Sequence, residues 1–124
     1  MARREQDALP SGLPSNYLKA CALLLISEAP AHGYQLLARL SGVGPPGFDL
    51  GALYRVLRAM EDDGLVASSW EASAVGPDRR VYRVTDLGRQ VLDAEAEALN
   101  EVLDHMATFI RRFTRIARRP IVAA

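Results

Sequence analysis

Apolar positions along this 124-residue chain fall into blocks whose spacing changes character from one segment to the next. Leu18, Cys21, Ala22, Leu24, Leu25 and Ile26 follow too closely for a one-sided stripe. They predict a helix apolar on most faces and central to the core, capped by Ser15 or Asn16 and ended by Pro30. Tyr34, Leu36, Leu37 and Leu40 recur at helical spacing and predict a second helix from His32-Gly33, before Gly42, Gly44, Pro45, Pro46 and Gly47 break the chain. Asp49 is placed to cap a third helix, with Leu50, Leu53, Leu57 and Met60 on one stripe and Gly64 at its stop. Residues 66–71 and 80–84 then read as two short strands around a turn-rich loop, Ser73 to Asp78, which contains Gly76-Pro77. Thr85 opens a last helix that meets no proline until Pro120, a length of about 50 Å.

This order predicts a mainly α protein with a small β-hairpin, an α+β class. Its architecture is a winged helix-turn-helix over residues 15–86 and a long C-terminal helix over residues 87–119. Residues 1–14 lack apolar periodicity and are expected to form a flexible arm, and residues 120–124 a tail. In such a fold the second helix braces against DNA, the third enters the major groove, and the hairpin touches the adjacent backbone or minor groove. The same fold also serves as a protein-binding module, so order alone leaves both uses open.

Composition narrows the field. Hydrophobic residues make up 49% of the chain and charged residues 24%, which fits one folded domain rather than a disordered chain. The single Cys21 cannot form an internal disulfide, pointing to a reducing, cytoplasmic setting. The longest apolar run, Ala20 to Ile26, is too short for a membrane span, and no signal-peptide pattern is expected. Fifteen basic residues balance fifteen acidic ones, which excludes a polybasic coat. Residues 32–89 hold seven of each sign, so any attraction for phosphate must come from where the arginines sit. No catalytic constellation or phosphate loop appears, and neither His32 nor His105 has a metal-site spacing; no enzyme activity and no cofactor are expected.

Four motifs in order resemble the PadR family of bacterial transcriptional regulators. They are Ala31-His32-Gly33-Tyr34-Gln35-Leu36, then Gly51-Ala52-Leu53-Tyr54-Arg55-Val56-Leu57, then Met60-Glu61-Asp62-Asp63-Gly64-Leu65-Val66. The fourth is Gly76-Pro77-Asp78-Arg79-Arg80-Val81-Tyr82-Arg83-Val84-Thr85-Asp86-Leu87-Gly88. The resemblance spans about residues 15 to 90 and implies a dimeric, DNA-binding regulator of the short-tailed branch. The chain departs from the family pattern at Asp49, where Ser is frequent, and at Ala52, where Thr is. Both departures remove hydroxyls that could meet phosphate, so the contacts of other members do not transfer unchanged.

The candidate DNA-binding residues are Tyr34, Gln35, Gly51, Ala52, Tyr54, Arg55, Arg58, Arg79 and Arg80. Arg reads guanine bidentately and Tyr hydroxyls commonly meet phosphate, while Gly51 and Ala52 would let the helix approach the groove closely. The plainer alternatives are a surface ion pair of Arg58 with Asp62 and a solvated wing tip for Arg79 and Arg80. His32 is expected to pack or cap at a helix start. Tyr82 should face inward, Arg83 should pair with Glu71, and Trp70 should cap the core beneath the wing.

On the last helix Leu92, Leu99, Met106 and Phe113 interleave with Ala96, Leu103, Ile110 and Ala117, widened by Val102, Phe109 and Ile116. One small domain cannot bury so broad a face, which predicts dimerisation through Leu92, Leu99, Leu103, Met106, Phe109, Ile110 and Phe113. Five acids (Asp93, Glu95, Glu97, Glu101, Asp104) precede five arginines (Arg111, Arg112, Arg115, Arg118, Arg119), a pattern that complements itself in an antiparallel pair. A small-molecule effector in the dimer cleft, lined by Met106, Phe109 and Phe113, is the competing use of this face. The partners expected are double-stranded operator DNA and a second copy of the chain, with no membrane.

Overall fold

In a computed structural model of the chain, residues 13–44 and 47–121 are described. Most of the predicted arm and the end of the predicted tail lie outside them. Seven elements follow in order: α1 (Tyr17–Glu28), β1 (Ala31–His32), α2 (Gly33–Leu40), α3 (Leu50–Asp62), β2 (Val66–Glu71), β3 (Arg79–Val84) and α4 (Asp86–Ala117). They form two compact units, one through Leu92 and one from Asp93 onward.

The first unit is built around α1. Leu18, Ala20, Cys21, Ala22, Leu23, Leu25 and Ile26 are buried on most of its circumference, as the apolar block requires, whereas Leu24, expected in the same block, remains 37% exposed. Asn16 holds its N-cap position through the backbone carbonyl, which accepts from Ala20 N–H at 3.1 Å. Leu36 and Leu40 of α2, and Leu53, Leu57 and Met60 of α3, close on α1 together with Leu65, Val66 and Tyr82. Asp49 caps α3 by accepting from Ala52 N–H at 2.6 Å. The end of α3 is a Schellman turn. Gly64 takes φ +80°, its N–H donates to Glu61 C=O at 3.1 Å, and Leu65 N–H donates to Met60 C=O at 2.8 Å.

The hairpin carries a third strand that the sequence did not predict. β1 pairs antiparallel with β3, Ala31 opposite Tyr82 and His32 opposite Val81, giving the sheet order β1-β3-β2. Two residues are too few to show an alternating pattern, so only the finished sheet reveals the strand. In the hairpin Val66 faces Val84, Ser68 faces Tyr82 and Trp70 faces Arg80. These three pairs share one face, which is buried at its base and open toward its tip.

That gradient corrects the expectation for Trp70. Its parity is that of the core-facing positions, but it lies two pairs beyond Val66 and remains 66% exposed. The same register places Arg80 within β3 opposite Trp70, as the expected strand over 80–84 has it, and starts the strand one residue earlier, with Arg79 opposite Glu71. Tyr82 is buried as expected, and burial pushes its hydroxyl pKa up. Arg83 meets Glu71 at 2.7 Å, an exposed pair of little energetic weight.

Thr85 joins α3, the hairpin and α4. Its hydroxyl donates to Gly64 C=O at 2.6 Å and accepts from Gly88 N–H at 3.0 Å, capping α4. Val91 and Leu92 pack against the core of this unit. Leu92 is therefore partly spent on the winged-helix core, which it reaches nearly two turns into α4, and the stripe open to a partner starts beyond it.

The second unit is the rest of α4 and the residues that follow. Val102, Leu103, Met106, Phe109 and Ile116 are exposed, while Leu99, Ile110 and Phe113 are half-buried. Arg118 adopts φ +55° where the helix stops, and the Arg119 guanidinium lies 5.5 Å from the centre of the Phe113 ring. Among the described residues no helix is long and apolar enough to cross a membrane.

Candidate nucleic-acid interface

α2 starts on a reciprocal cap. His32 Nδ1 accepts from Gln35 N–H at 3.4 Å, and Gln35 Oε1 accepts from His32 N–H at 3.1 Å. Only an unprotonated Nδ1 can accept, and two features favour that form. Burial lowers the His32 pKa first, and the cationic Arg79 and Arg39 lower it further. On its other side the ring meets Arg79, whose Nη1 is 3.3 Å from Nε2. The expectation that His32 caps a helix start holds, and Gln35 is half of the same cap. Tyr34 projects from this turn at 68% exposure.

α3 divides its faces cleanly. Leu53, Leu57 and Met60 are buried, whereas Gly51, Tyr54, Arg55 and Arg58 are exposed. Ala52 falls between the two: it is half-buried and packs against the core, so it is only partly available to a groove. Tyr54 leans across to α2. A Cβ added at Gly33 would lie 2.5 Å from the Tyr54 hydroxyl oxygen and 2.7 Å from Cζ. The glycine of the His-Gly-Tyr motif is thus the seat of the Tyr54 ring, a relation between two helices that neither motif reveals alone.

The wing contributes a closed polar ring. Ser68 Oγ donates to Glu61 Oε2 at 2.7 Å and accepts from Arg80 Nε–H at 2.7 Å, while Arg80 Nη2 reaches Glu61 Oε1 at 3.3 Å. The Arg80 guanidinium also lies 5.8 Å from the Trp70 ring centre. Arg80 is thereby folded across the hairpin toward α3. Nothing in the sequence joins these four residues, since their meeting depends on the strand register and on the approach of α3 to β2.

The start of α2, the exposed face of α3 and the hairpin enclose an open groove of about 1090 Å³. Tyr34, Tyr54, Arg58, Arg79 and Arg80, all predicted, line it together, joined by Trp70, which was not. Gln35 lies instead beside a smaller hollow with Arg79 on the outer side of the hairpin. Gly51 and Arg55 line a shallow depression on α3 that shares Tyr54 and Arg58 with the main groove. Glu61, Asp62 and Asp78 also face the main groove, so its charge is balanced and its arginines act by position.

Cys21 is buried in α1, and burial pushes its thiol pKa up, away from the reactive thiolate. Among the described residues no three His, Cys, Asp or Glu side chains gather as a metal site. The arrangement of aromatic, hydroxyl and guanidinium groups around an exposed helix suits recognition of a polyanionic strand.

Known proteins resemble the chain in sequence and in fold. The chain is 37% identical over 78 residues to transcriptional regulator Rv3488 of Mycobacterium tuberculosis, a match covering 63% of this chain and 61% of that protein. It thus spans under two thirds of that relative's length. Among solved structures it superposes on a conserved protein of unknown function described as a potential transcriptional factor, with a TM-score of 0.73 and 30% identity. That match covers 90% of this chain and all of the other. In fold alone it resembles Bacillus subtilis PadR, solved in complex with operator DNA, with a TM-score of 0.57 and 20% identity. There the match covers 64% of this chain and 46% of that one. Residues 22–94, from mid-α1 to just past the core-packed turn of α4, match the PadR-like family, and the chain is a member of that family of transcriptional regulators.

Proposed function

We propose that this chain is a sequence-specific DNA-binding repressor that occupies an inverted-repeat operator as a homodimer. The observation that carries the reading is the groove between α3 and the hairpin, where Tyr34, Tyr54, Arg58 and Arg79 converge beside an exposed helix face bearing Gly51 and Arg55. α3 enters the major groove, with Arg55 and Arg58 at base edges and Gly51 permitting close approach. Tyr34, Tyr54 and Arg79 meet phosphates on either side, and Gln35 stands beside them at the start of α2. The operator complex of Bacillus subtilis PadR supports this use of the fold. The partner surface is the stripe of α4 formed by Leu99, Leu103, Met106, Phe109, Ile110 and Phe113, of which Leu103, Met106 and Phe109 are exposed. Two-fold symmetry then sets half-site centres about one helical turn, roughly 34 Å, or a multiple of it apart.

The test is selection of fragments from the protein's own genome, followed by fluorescence anisotropy on the selected duplex over a range of salt. Arg79 is the cationic phosphate contact of each subunit, about two per dimer, for which log K should fall against log salt with a slope of about −2 or steeper. Binding to the selected duplex no tighter than to random DNA, or a slope near zero, would overturn the proposal. A reporter driven by the selected promoter should rise when the gene is deleted.

A further inference from the structure

The largest exposed apolar group in the groove is one that the arginine-centred reading leaves idle. Trp70 lies on the α3-facing side of the hairpin, beyond the end of the core, with two thirds of its surface in water. A large indole held open in this way contrasts with Val66 and Tyr82 below it on the same face, which are buried. Its neighbour Arg80 is already engaged. Glu61 and Ser68 hold the guanidinium from one side, and the Trp70 ring lies within cation–π distance of it. The Arg80 charge is matched by Glu61, although its side chain stays 45% exposed, so at this level of the wing the ring is the exposed group with no charge partner to satisfy. Across the groove stand Tyr34 and Arg58, with Arg79 beside it on the hairpin.

We propose that Trp70 is a DNA-contact residue of the wing, its indole lying against the deoxyribose-phosphate backbone of the strand that passes between α3 and the hairpin. Arg80 is a positioning residue that holds the ring there. This rests on the DNA-binding reading above. The apolar face of the ring covers sugar carbons, and the indole N–H is a donor for a phosphate oxygen, while the flanking Arg58 and Arg79 supply the attraction for the strand. The occupant is the backbone of duplex DNA because the groove is walled by the helix that would read the bases. The contact is independent of sequence and adds affinity rather than base preference.

The chain has a single tryptophan, so its emission reports this site alone. The 124-residue chain is titrated with a fluorescein-labelled duplex of random sequence at low salt, following label anisotropy and tryptophan emission in parallel. Trp70 emission should change with the same midpoint as the anisotropy, and acrylamide quenching of the indole should fall when DNA is bound. Trp70→Ala should weaken binding on the order of tenfold, as loss of one aromatic contact does, and Trp70→Phe should recover most of it. Arg80→Gln should also weaken binding, but with no further loss in the Trp70→Ala background, because Arg80 acts through the ring.

Anisotropy that rises while Trp70 emission and its quenching stay unchanged would overturn the contact and leave DNA binding standing. Wild-type affinity in Trp70→Ala would do the same, and would leave the exposed ring as a surface for another protein. Additive losses at Trp70 and Arg80 would overturn the positioning role and assign Arg80 to a phosphate. If no duplex, including one selected from the genome, changes the anisotropy, it is the DNA-binding reading that fails.

Discussion

At the scale of single residues, glycines decide how closely the functional groups can meet. Gly33 opens α2, and its missing side chain is the space in which the Tyr54 ring lies. Gly33→Ala puts a methyl group against that ring, and the cheaper response is for Tyr54 to swing away, since it is the end of a side chain and not backbone. The expected result is DNA affinity lowered severalfold with a loss of stability of only about 1 kcal/mol. Anisotropy and thermal denaturation on the same samples check this, and the substitution should have no further effect on affinity in a Tyr54→Ala background. Sequence reading placed Tyr54 on the open face of α3 correctly and could not see Gly33 beneath it, because the pair is formed by two helices separated by a loop. Trp70 shows the opposite limit. Strand alternation gave its face, but how far the core extends along that face depends on where α3 ends, a distance that alternation does not encode.

At the scale of elements, the junction after the hairpin is the most constrained point of the fold. Thr85 binds the turn that ends α3 and caps the helix that begins after it, and Gly88 lets α4 lie against the chain at Leu65. A Cβ at Gly88 would fall on the Leu65 carbonyl oxygen, which already accepts from Thr85 N–H. Backbone on both sides leaves nowhere to move. Gly88→Ala should therefore destabilise the winged-helix unit by about 3 kcal/mol, at the upper end of overpacking effects. Circular dichroism should then show a fall in Tm of more than about 10 °C. A fall of only a degree or two would mean that the junction is looser than it looks. Here the elements were legible in advance. The Asp49 and Thr85 caps, the Gly64 stop and the apolar stripes of α2 and α3 are local signals, and each appears where spacing predicts it. β1 was not legible, since a two-residue strand is defined only by its partner.

At the scale of the whole molecule, neutrality becomes a matter of arrangement. Acidic and basic residues are equal in number, and both signs face the groove. In α4 the signs separate along the helix, with Glu97, Glu101 and Asp104 preceding Arg111, Arg112 and Arg115. If two copies pair antiparallel through the apolar stripe, each acidic stretch meets the partner's arginines. Changing Glu97, Glu101 and Asp104 together to Lys should then weaken the dimer, and by more at low salt than at high salt. Sedimentation velocity across a concentration series measures this. An unchanged profile would mean that the apolar stripe alone sets the pairing.

The short strand β1 ties the start of α2 to the middle strand of the wing, with His32 backing Arg79 from the same turn. A free two-stranded hairpin could swing and adjust to the DNA it meets. A hairpin stitched on its inner edge to the first helix of the helix-turn-helix cannot, so the protein is a caliper with a fixed jaw. On the DNA-binding reading proposed above, changes at the loop tip alter what the wing touches, while the interval between a wing contact and an α3 contact is set by the sheet. Across operators of different sequence, a footprint should keep the same distance between its major-groove and wing protections.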